Sequence, residues 1–248
     1  VWGLMDNFST DIDTDTVLGT TTSRENLEGQ LITEALNYQL DGINIDIESL
    51  PEETSESYVQ FMRELSVKCR NNNLVLSVDV PPPYSFNEHY SQKELGEVVD
   101  YVIIMGYDEH YVGSDAGSVA SLSYERDGIT GTLENVPKEK IISGIPFYTR
   151  LWKTNASGEV SSEAIGMDRA DQILSDYKVT AGWSSETSQD YAEFTDEEGN
   201  FCQIWLENEK SIEEKMKLVQ EYDLAGVAEW KLGFERSSIW DVIAKYVN

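Results

Sequence analysis

Apolar runs recur along the chain at 1–5, 43–47, 74–80, 101–105, 141–146 and 225–230, each separated from the next by a stretch long enough for a helix. Helical spacing is clear at 26–40, where Leu27, Leu31, Ala35 and Leu36 fall on one stripe, and at 53–70 through Tyr58, Phe61, Leu65 and Cys69. It recurs at 211–222 and 237–247. Strands alternating with helices predict an α/β fold with a parallel sheet and helical crossovers. Residues 151–206 break that rhythm: a short helix near 168–177, then alternating runs at 192–195 and 201–205 around Asp196-Glu197-Glu198-Gly199-Asn200. A Gly-bearing acidic turn between two such runs predicts a β-hairpin.

The most informative of the runs is Asp41-Gly42-Ile43-Asn44-Ile45-Asp46-Ile47-Glu48. Side chains alternate across a strand, so Ile43, Ile45 and Ile47 share one face and Asn44, Asp46 and Glu48 the other. Asp46 and Glu48 then lie roughly 6.6 Å apart along the strand. Two carboxyl groups that close do not both ionise freely, and one is expected to hold its proton toward neutral pH. Three readings fit the segment: an ordinary half-buried strand, a hard-cation site, and a catalytic acid with a supporting carboxylate. Nothing nearby supplies the rest of a cation's shell, and the third reading is the preferred one.

Composition narrows the partners. The 46 acidic and 18 basic residues give a formal charge of -28, which opposes binding to nucleic acid phosphates or anionic lipid surfaces. No apolar run approaches the ~18 residues of a membrane span. A length of 248 residues allows a single barrel domain, and Val1 in place of a start Met suggests a piece of something longer. Cys69 and Cys202 are too few for a disulfide framework and read as free thiols. His89 and His110 are too sparse for zinc chemistry or a Ser-His-Asp triad. The run Asp11-Ile12-Asp13-Thr14-Asp15 lacks the Gly and the Glu of a calcium loop, with Thr16 and Thr22 in their places, and reads as a solvated loop. Asn7-Phe8-Ser9 and Asn155-Ala156-Ser157 fit the glycosylation acceptor pattern, matches of little weight. No metal or other cofactor is expected.

The segment 41–48 resembles the Asp-x-x-Asp-x-Asp-x-Glu signature of glycoside hydrolase family 18, the chitinase family, with Asn44 where most chitinases carry the first inner Asp. In the same order, Met105-Gly106-Tyr107-Asp108 resembles the family's Met-x-Tyr-Asp motif, Gly144-Ile145-Pro146-Phe147-Tyr148 its seventh strand, and Gly226-Val227-Ala228-Glu229-Trp230 its last. The forms of these motifs are similar to a bacterial branch of spore-cortex and cell-wall N-acetylglucosaminidases, which often has Asn at the position of Asn44.

The resemblance implies a (β/α)8 TIM barrel. Only the run at 1–5 precedes the catalytic strand, so the chain resembles strands three to eight, and the first two βα units are missing. It implies barrel strands three to seven in residues 1–150, a small α+β insertion in 151–206, and the last strand and helix in 207–248. An open barrel implies exposed edges at 1–5 and 225–230, self-association through them and weakened activity.

The implied chemistry is substrate-assisted hydrolysis of β-1,4 bonds next to N-acetylglucosamine, in peptidoglycan or chitin. Glu48 would protonate the glycosidic oxygen and Asp46 would orient the 2-acetamido group. Tyr107 would donate to the acetamido oxygen, and Trp230 would lie beneath the sugar. Asn44 is expected to hold Asp46 by hydrogen bonds. Asp108, Tyr148 and Arg150 are further candidates for substrate contact, with Glu109, His110 and Tyr111 weaker ones. An extracellular, cell-wall or spore-associated location is implied. The rival reading is a lectin-like member that binds carbohydrate without turnover.

Overall fold

The computed structural model of the protein describes residues 1–9 and 13–247. In chain order the elements are β1 (Trp2–Asp6), α1 (Thr14–Leu18), α2 (Thr21–Asn37), β2 (Gly42–Asp46), α3 (Ser55–Asn71), β3 (Val75–Val80), α4 (Gln92–Val98), β4 (Tyr101–Met105) and α5 (Leu122–Leu133). They continue with β5 (Ile141–Pro146), β6 (Tyr148–Thr154), β7 (Val160–Gly166), α6 (Met167–Asp176), β8 (Gly182–Ser184), β9 (Gln189–Thr195), β10 (Phe201–Leu206), α7 (Glu209–Glu221), β11 (Gly226–Trp230) and α8 (Ser238–Ile243). The fold is α/β, a TIM-like alternation of strands and helices with β6 to β10 and α6 inserted before the last strand. The residues group into two compact units, Val1–Met105 with Thr130–Ile142, and Gly106–Ile129 with Ser143–Asn248.

In the first unit, β1, β2, β3 and β4 lie side by side in that order and run parallel. The register sets Asp6 against Asp46, Asn44 against Ser77 and Asp79 against Ile103. Ile43, Ile45, Ile47, Leu76, Val78 and Val80 are all buried, as strands covered by crossover helices require. The α3 stripe of Tyr58, Phe61, Leu65 and Cys69 is buried as its spacing predicts, and Cys69 is a free thiol. Burying each of the larger apolar side chains contributes about 2 kcal/mol.

The stripe expected on α2 is shifted. Ala35 is buried, but Leu36 is 50% exposed, and the inward positions include Arg24 and Glu28. These two pair with α3: Arg24 Nε donates to Glu64 at 2.8 Å, and Lys68 Nζ lies 2.6 Å from Glu28. Apolar periodicity cannot register a helix face that is partly ionic. From Asp13 on, the acidic run opens a helix rather than a solvated loop. Asp11 and Ile12 lie outside the described residues, while Asp13 caps α1 by accepting from the Thr16 N–H, and Asp15 accepts from Thr54 Oγ1 at 3.1 Å.

The second unit carries an antiparallel sheet in the order β7-β6-β10-β9-β8. The predicted hairpin is β9 and β10, paired from Thr195 with Phe201 to Asp190 with Leu206. Its turn is closed by Asp196, whose carboxylate accepts from the backbone N–H groups of Glu198 and Asn200 and from Lys153. Gly199 supplies the φ of +83° that the turn needs. Cys202, Ile204 and Leu206 alternate inward and pack on Ala170, Ile173 and Leu174 of α6. Sequence reading missed β6, β7 and β8. β7 is mostly exposed and lacks apolar alternation; it is held by seven residue pairs with β6. It missed α5 as well, where Gly128 and Gly131 lower helix propensity. The helix expected at 237–247 stops at Ile243.

A buried polar network ties this unit together. Lys215 on α7 donates to Glu125 on α5 at 2.7 Å and lies 3.3 Å from Glu207 at the end of β10. Glu207 also accepts from Gln189 on β9 at 2.6 Å and from Ser211 at 2.7 Å. Lys215→Met is expected to destabilise the protein by about 3–5 kcal/mol, because it leaves two carboxyl groups buried without their cation. Urea denaturation checks this; a loss below about 1 kcal/mol would show the network to be energetically idle.

Candidate active site

In the first unit the chemistry-bearing residues gather at the carboxyl end of β2. Asp46 is the last residue of the strand, and Glu48 stands two residues beyond it. Asp46 is only 5% exposed, and its Oδ1 is buried without a hydrogen-bond partner. Burial, then the neighbouring Glu48, then Asp6 push its carboxyl up to about 6. Mutual repulsion of the Asp46–Glu48 pair is therefore present, and burial outweighs it.

Glu48 is half-buried, and Asn7, which the sequence marks only as a weak glycosylation match, holds its backbone. Its N–H donates to Asn7 Oδ1 at 3.0 Å, and its carbonyl accepts from Asn7 Nδ2 at 2.9 Å. Ser49 follows with φ of +51°, and the Leu50 N–H donates to the Tyr90 hydroxyl at 3.2 Å. A left-handed non-glycine residue costs about 1–2 kcal/mol, and here it sits between two such clamps. The further signal for Asn7 is its place just past β1, one residue beyond the Asp6–Asp46 register pair.

Asn44 does not hold Asp46. Its amide donates to Asp79 Oδ2 at 2.8 Å, and its carbonyl oxygen accepts from Ser77 Oγ at 2.5 Å. The physical reason is parallel pairing: the partners of the Asn44 side chain lie on the same face of β3, Ser77 at its own level and Asp79 two residues further on. Asp79, also missed, is pushed up to about 7 by burial and by Asp46 and Glu48, against the hydrogen bond from Asn44. An acidic residue inside the apolar run at 74–80 was the available signal.

In the second unit, Tyr107 stands two residues past β4, and Asp108 follows with φ of +57°. Tyr148 is buried rather than on the surface, and its hydroxyl donates to Asp108 Oδ1 at 2.6 Å. Burial and that carboxylate push the Tyr148 phenol strongly up. Arg150 Nη2 lies 3.7 Å from Asp108, while Nη1 donates to Ser162 at 3.2 Å. The Tyr107 and Tyr148 rings meet edge to face at 6.2 Å. Tyr107, Asp108, Tyr148 and Arg150 are thus brought together.

The weaker candidates organise a loop. Glu109 accepts from the Ser121 N–H and hydroxyl at the start of α5, and His110 contacts the Asp115 carbonyl at 2.9 Å. Trp230 ends β11 with 43% of its surface exposed, and its carbonyl accepts from the Phe147 N–H. Its neighbour Glu229, not predicted, is pushed up to about 7 by burial and then by Glu235. Among the described residues no group of three or more His, Cys, Asp and Glu side chains is arranged to hold a metal ion.

The model of Glycosyl hydrolases family 18 matches residues 6–235. The candidate sporulation-specific glycosylase YdhD of Bacillus subtilis (strain 168) is 30% identical over 229 residues, covering 91% of this chain and 54% of YdhD. The cortical fragment-lytic enzyme of the same organism is 26% identical, covering 94% of this chain and 56% of that enzyme. The chain thus spans little more than half the length of these relatives. The crystal structure of the spore cortex-lytic enzyme SleL from Bacillus megaterium QM B1551 superposes with a TM-score of 0.89 at 24% identity, covering 99% of this chain and 59% of SleL. That likeness is one of fold.

The Asp46 environment has a consequence for stability. Its folded carboxyl titrates near 6 rather than at the ordinary 3.8, so the folded state binds a proton that the unfolded state releases earlier. That contribution is fully present below about pH 4 and is lost as pH rises to about 6. Relative to an Asp46→Asn variant, the parent is expected to lose stability across that window. Thermal melts of both proteins from pH 4 to pH 8 check it; parallel curves would contradict the burial of Asp46.

Proposed function

The chain belongs to glycosyl hydrolase family 18, and from that premise we propose that it is a glycosidase cleaving β-1,4 bonds next to N-acetylglucosamine by a substrate-assisted, retaining route. Peptidoglycan is the first choice of polymer and chitin the second. Support for peptidoglycan comes from the relatives, one of which is named for cortical fragments. On this reading the protein works at a cell wall or spore.

The observation that carries the reading is the orphaned Oδ1 of Asp46, buried two residues before Glu48 at the end of β2. A buried acceptor without a donor costs about 1–3 kcal/mol. The N–H of a sugar's 2-acetamido group is a donor of the right kind to satisfy it, and it would bring the acetamido carbonyl toward the anomeric carbon. In the proposed cycle the Glu48 carboxyl gives its proton to the glycosidic oxygen as the bond from the anomeric carbon breaks. The acetamido carbonyl oxygen bonds to that carbon and forms an oxazolinium ion. Water then attacks the same carbon from the face the leaving group vacated as the bond to the acetamido oxygen breaks and the acetamide re-forms, Glu48 takes the water's proton, and the configuration is retained. The motif matches extend the proposed substrate contacts to Tyr107, Asp108, Tyr148, Arg150 and Trp230.

Glu48→Gln keeps shape and removes the transferable proton, so hydrolysis of N-acetylglucosamine oligomers or purified cortex should fall at least ~100-fold while the melting temperature holds. Turnover within about tenfold of the parent would remove Glu48 from the role of acid. Oligomer binding by a parent that shows no turnover would favour the lectin-like alternative. A substrate without the 2-acetamido group should be inert; its cleavage at the rate of the N-acetyl compound would rule out the substrate-assisted route.

A further inference from the structure

The row of side chains shared by β2 and β3 contains a second carboxyl group that the proposed cycle does not use. Asn44 pairs with Ser77 and Ile45 with Val78 in the parallel register, and the same offset continued by one residue brings Asp46 level with Asp79, whose carboxyl feels the Asp46 charge. The Asn44 amide cannot rotate freely, because its oxygen accepts from Ser77 Oγ at 2.5 Å and its nitrogen donates to Asp79 Oδ2 at 2.8 Å. One oxygen of Asp79 is therefore committed as an acceptor. The other, Oδ1, is buried and unpartnered, and so is Oδ1 of Asp46.

Two ionised carboxylates here would present two buried acceptors, of which the buried and unpartnered Tyr58 hydroxyl in their field could serve at most one, an arrangement that low dielectric makes expensive. One proton resolves it, since a protonated carboxyl is a donor and its ionised neighbour an acceptor. Among the described residues no cation acts on Asp79. Asn44, Asp46 and Glu48 act on it from β2 and the turn beyond, Ile103 is its partner on β4, and the buried Tyr58 hydroxyl on α3 lies in the field of both aspartates. Asp6 on β1 stands on the far side of Asp46.

We propose that Asp79 is a positioning residue for Asp46: it stays protonated beside Asp46, donates a hydrogen bond to that carboxylate, and so fixes the carboxylate that receives the substrate's acetamido N–H. The order of titration agrees, with Asp79 pushed up to about 7 and Asp46 to about 6. No bond to substrate is made by Asp79 itself. The reading rests on Asp46 and Glu48 being the catalytic pair, and its test is therefore split between the carboxyl groups and the reaction.

The first arm follows the Asp46 and Asp79 side-chain carboxyl signals by carbon NMR on the whole chain against pH. In Asp46→Asn the midpoint of Asp79 should fall by about half a unit or more, because the anion that holds its proton is gone. A midpoint within about 0.2 unit of the parent's overturns the proposal, whatever the enzyme does.

The second arm measures kcat/KM on N-acetylglucosamine oligomers against pH. Asp79→Asn keeps a neutral donor at all pH values, so activity at pH 6 should stay near the parent's and the alkaline limb should move to higher pH. Asp79→Leu keeps the volume and loses the donor, and should lose at least ~10-fold at every pH, in kcat more than in KM. A merely structural Asp79 would lower both variants alike without moving the limb, and that result overturns the proposal. Should Glu48→Gln remain active while the carboxyl signals stay coupled, the catalytic assignment fails and the Asp46–Asp79 pair stands.

Discussion

The register of three parallel strands is the constraint on which the first unit depends. Parallel pairing of β1, β2 and β3 puts residues at the same level of the same face side by side, which sets Asp6 against Asp46 and, with the β2–β3 offset continued by one residue, brings Asp46 level with Asp79. β2 and β3 are fixed by Ile43, Ile45, Leu76, Val78 and Val80 on their other face, all of them buried. A slip by one residue would turn the whole acidic set into that apolar layer. The same alternation that folds the sheet thus delivers the carboxyl groups to one another.

Crowding acids in this way carries an energetic cost, and the surroundings show how it is met. Asp46 and Asp79 are held toward the neutral form by burial, and Asn44 and Ser77 supply fixed dipoles where further charge would be intolerable. Glu48 escapes the deepest burial by standing past the strand end, where Asn7 and the Tyr90 hydroxyl fix the backbone on either side of Ser49. In the proposed cycle, a donor that must release its proton gains from such partial exposure, whereas an orienting carboxylate gains from enclosure.

The second unit solves a different problem with similar means. Its antiparallel sheet has a modest apolar layer against α6, and the links among α5, α7, β9 and β10 are made by Lys215 and its two glutamates. Tyr148 spans from β6 to Asp108, so a strand of the antiparallel sheet also fixes the residue after Tyr107. Two strand ends that carry candidate chemistry, after β2 and after β4, each continue into a left-handed residue, Ser49 and Asp108. Strain of that kind persists where the surroundings over-determine the backbone.

Alternation and helical spacing in the sequence were enough to place β1 to β5, β11, α3, α7 and the β9–β10 hairpin, because all but the half-buried β1 and β11 bury an apolar face whose period survives in one dimension. The same reading put Asp46 and Glu48 on a polar face at a strand end, which is a local property of eight residues. It could not find β7, whose stability comes from pairing with β6 rather than from its own side chains, nor the ionic inner face of α2. It assigned Asn44 to Asp46, two residues along its own strand, when the partner was Asp79, 35 residues away. The Asn7 clamp spans 41 residues. Which carboxyl group holds a proton, and what holds the carboxylate beside it, depends on neighbours across strands. Only the register of the folded sheet decides that.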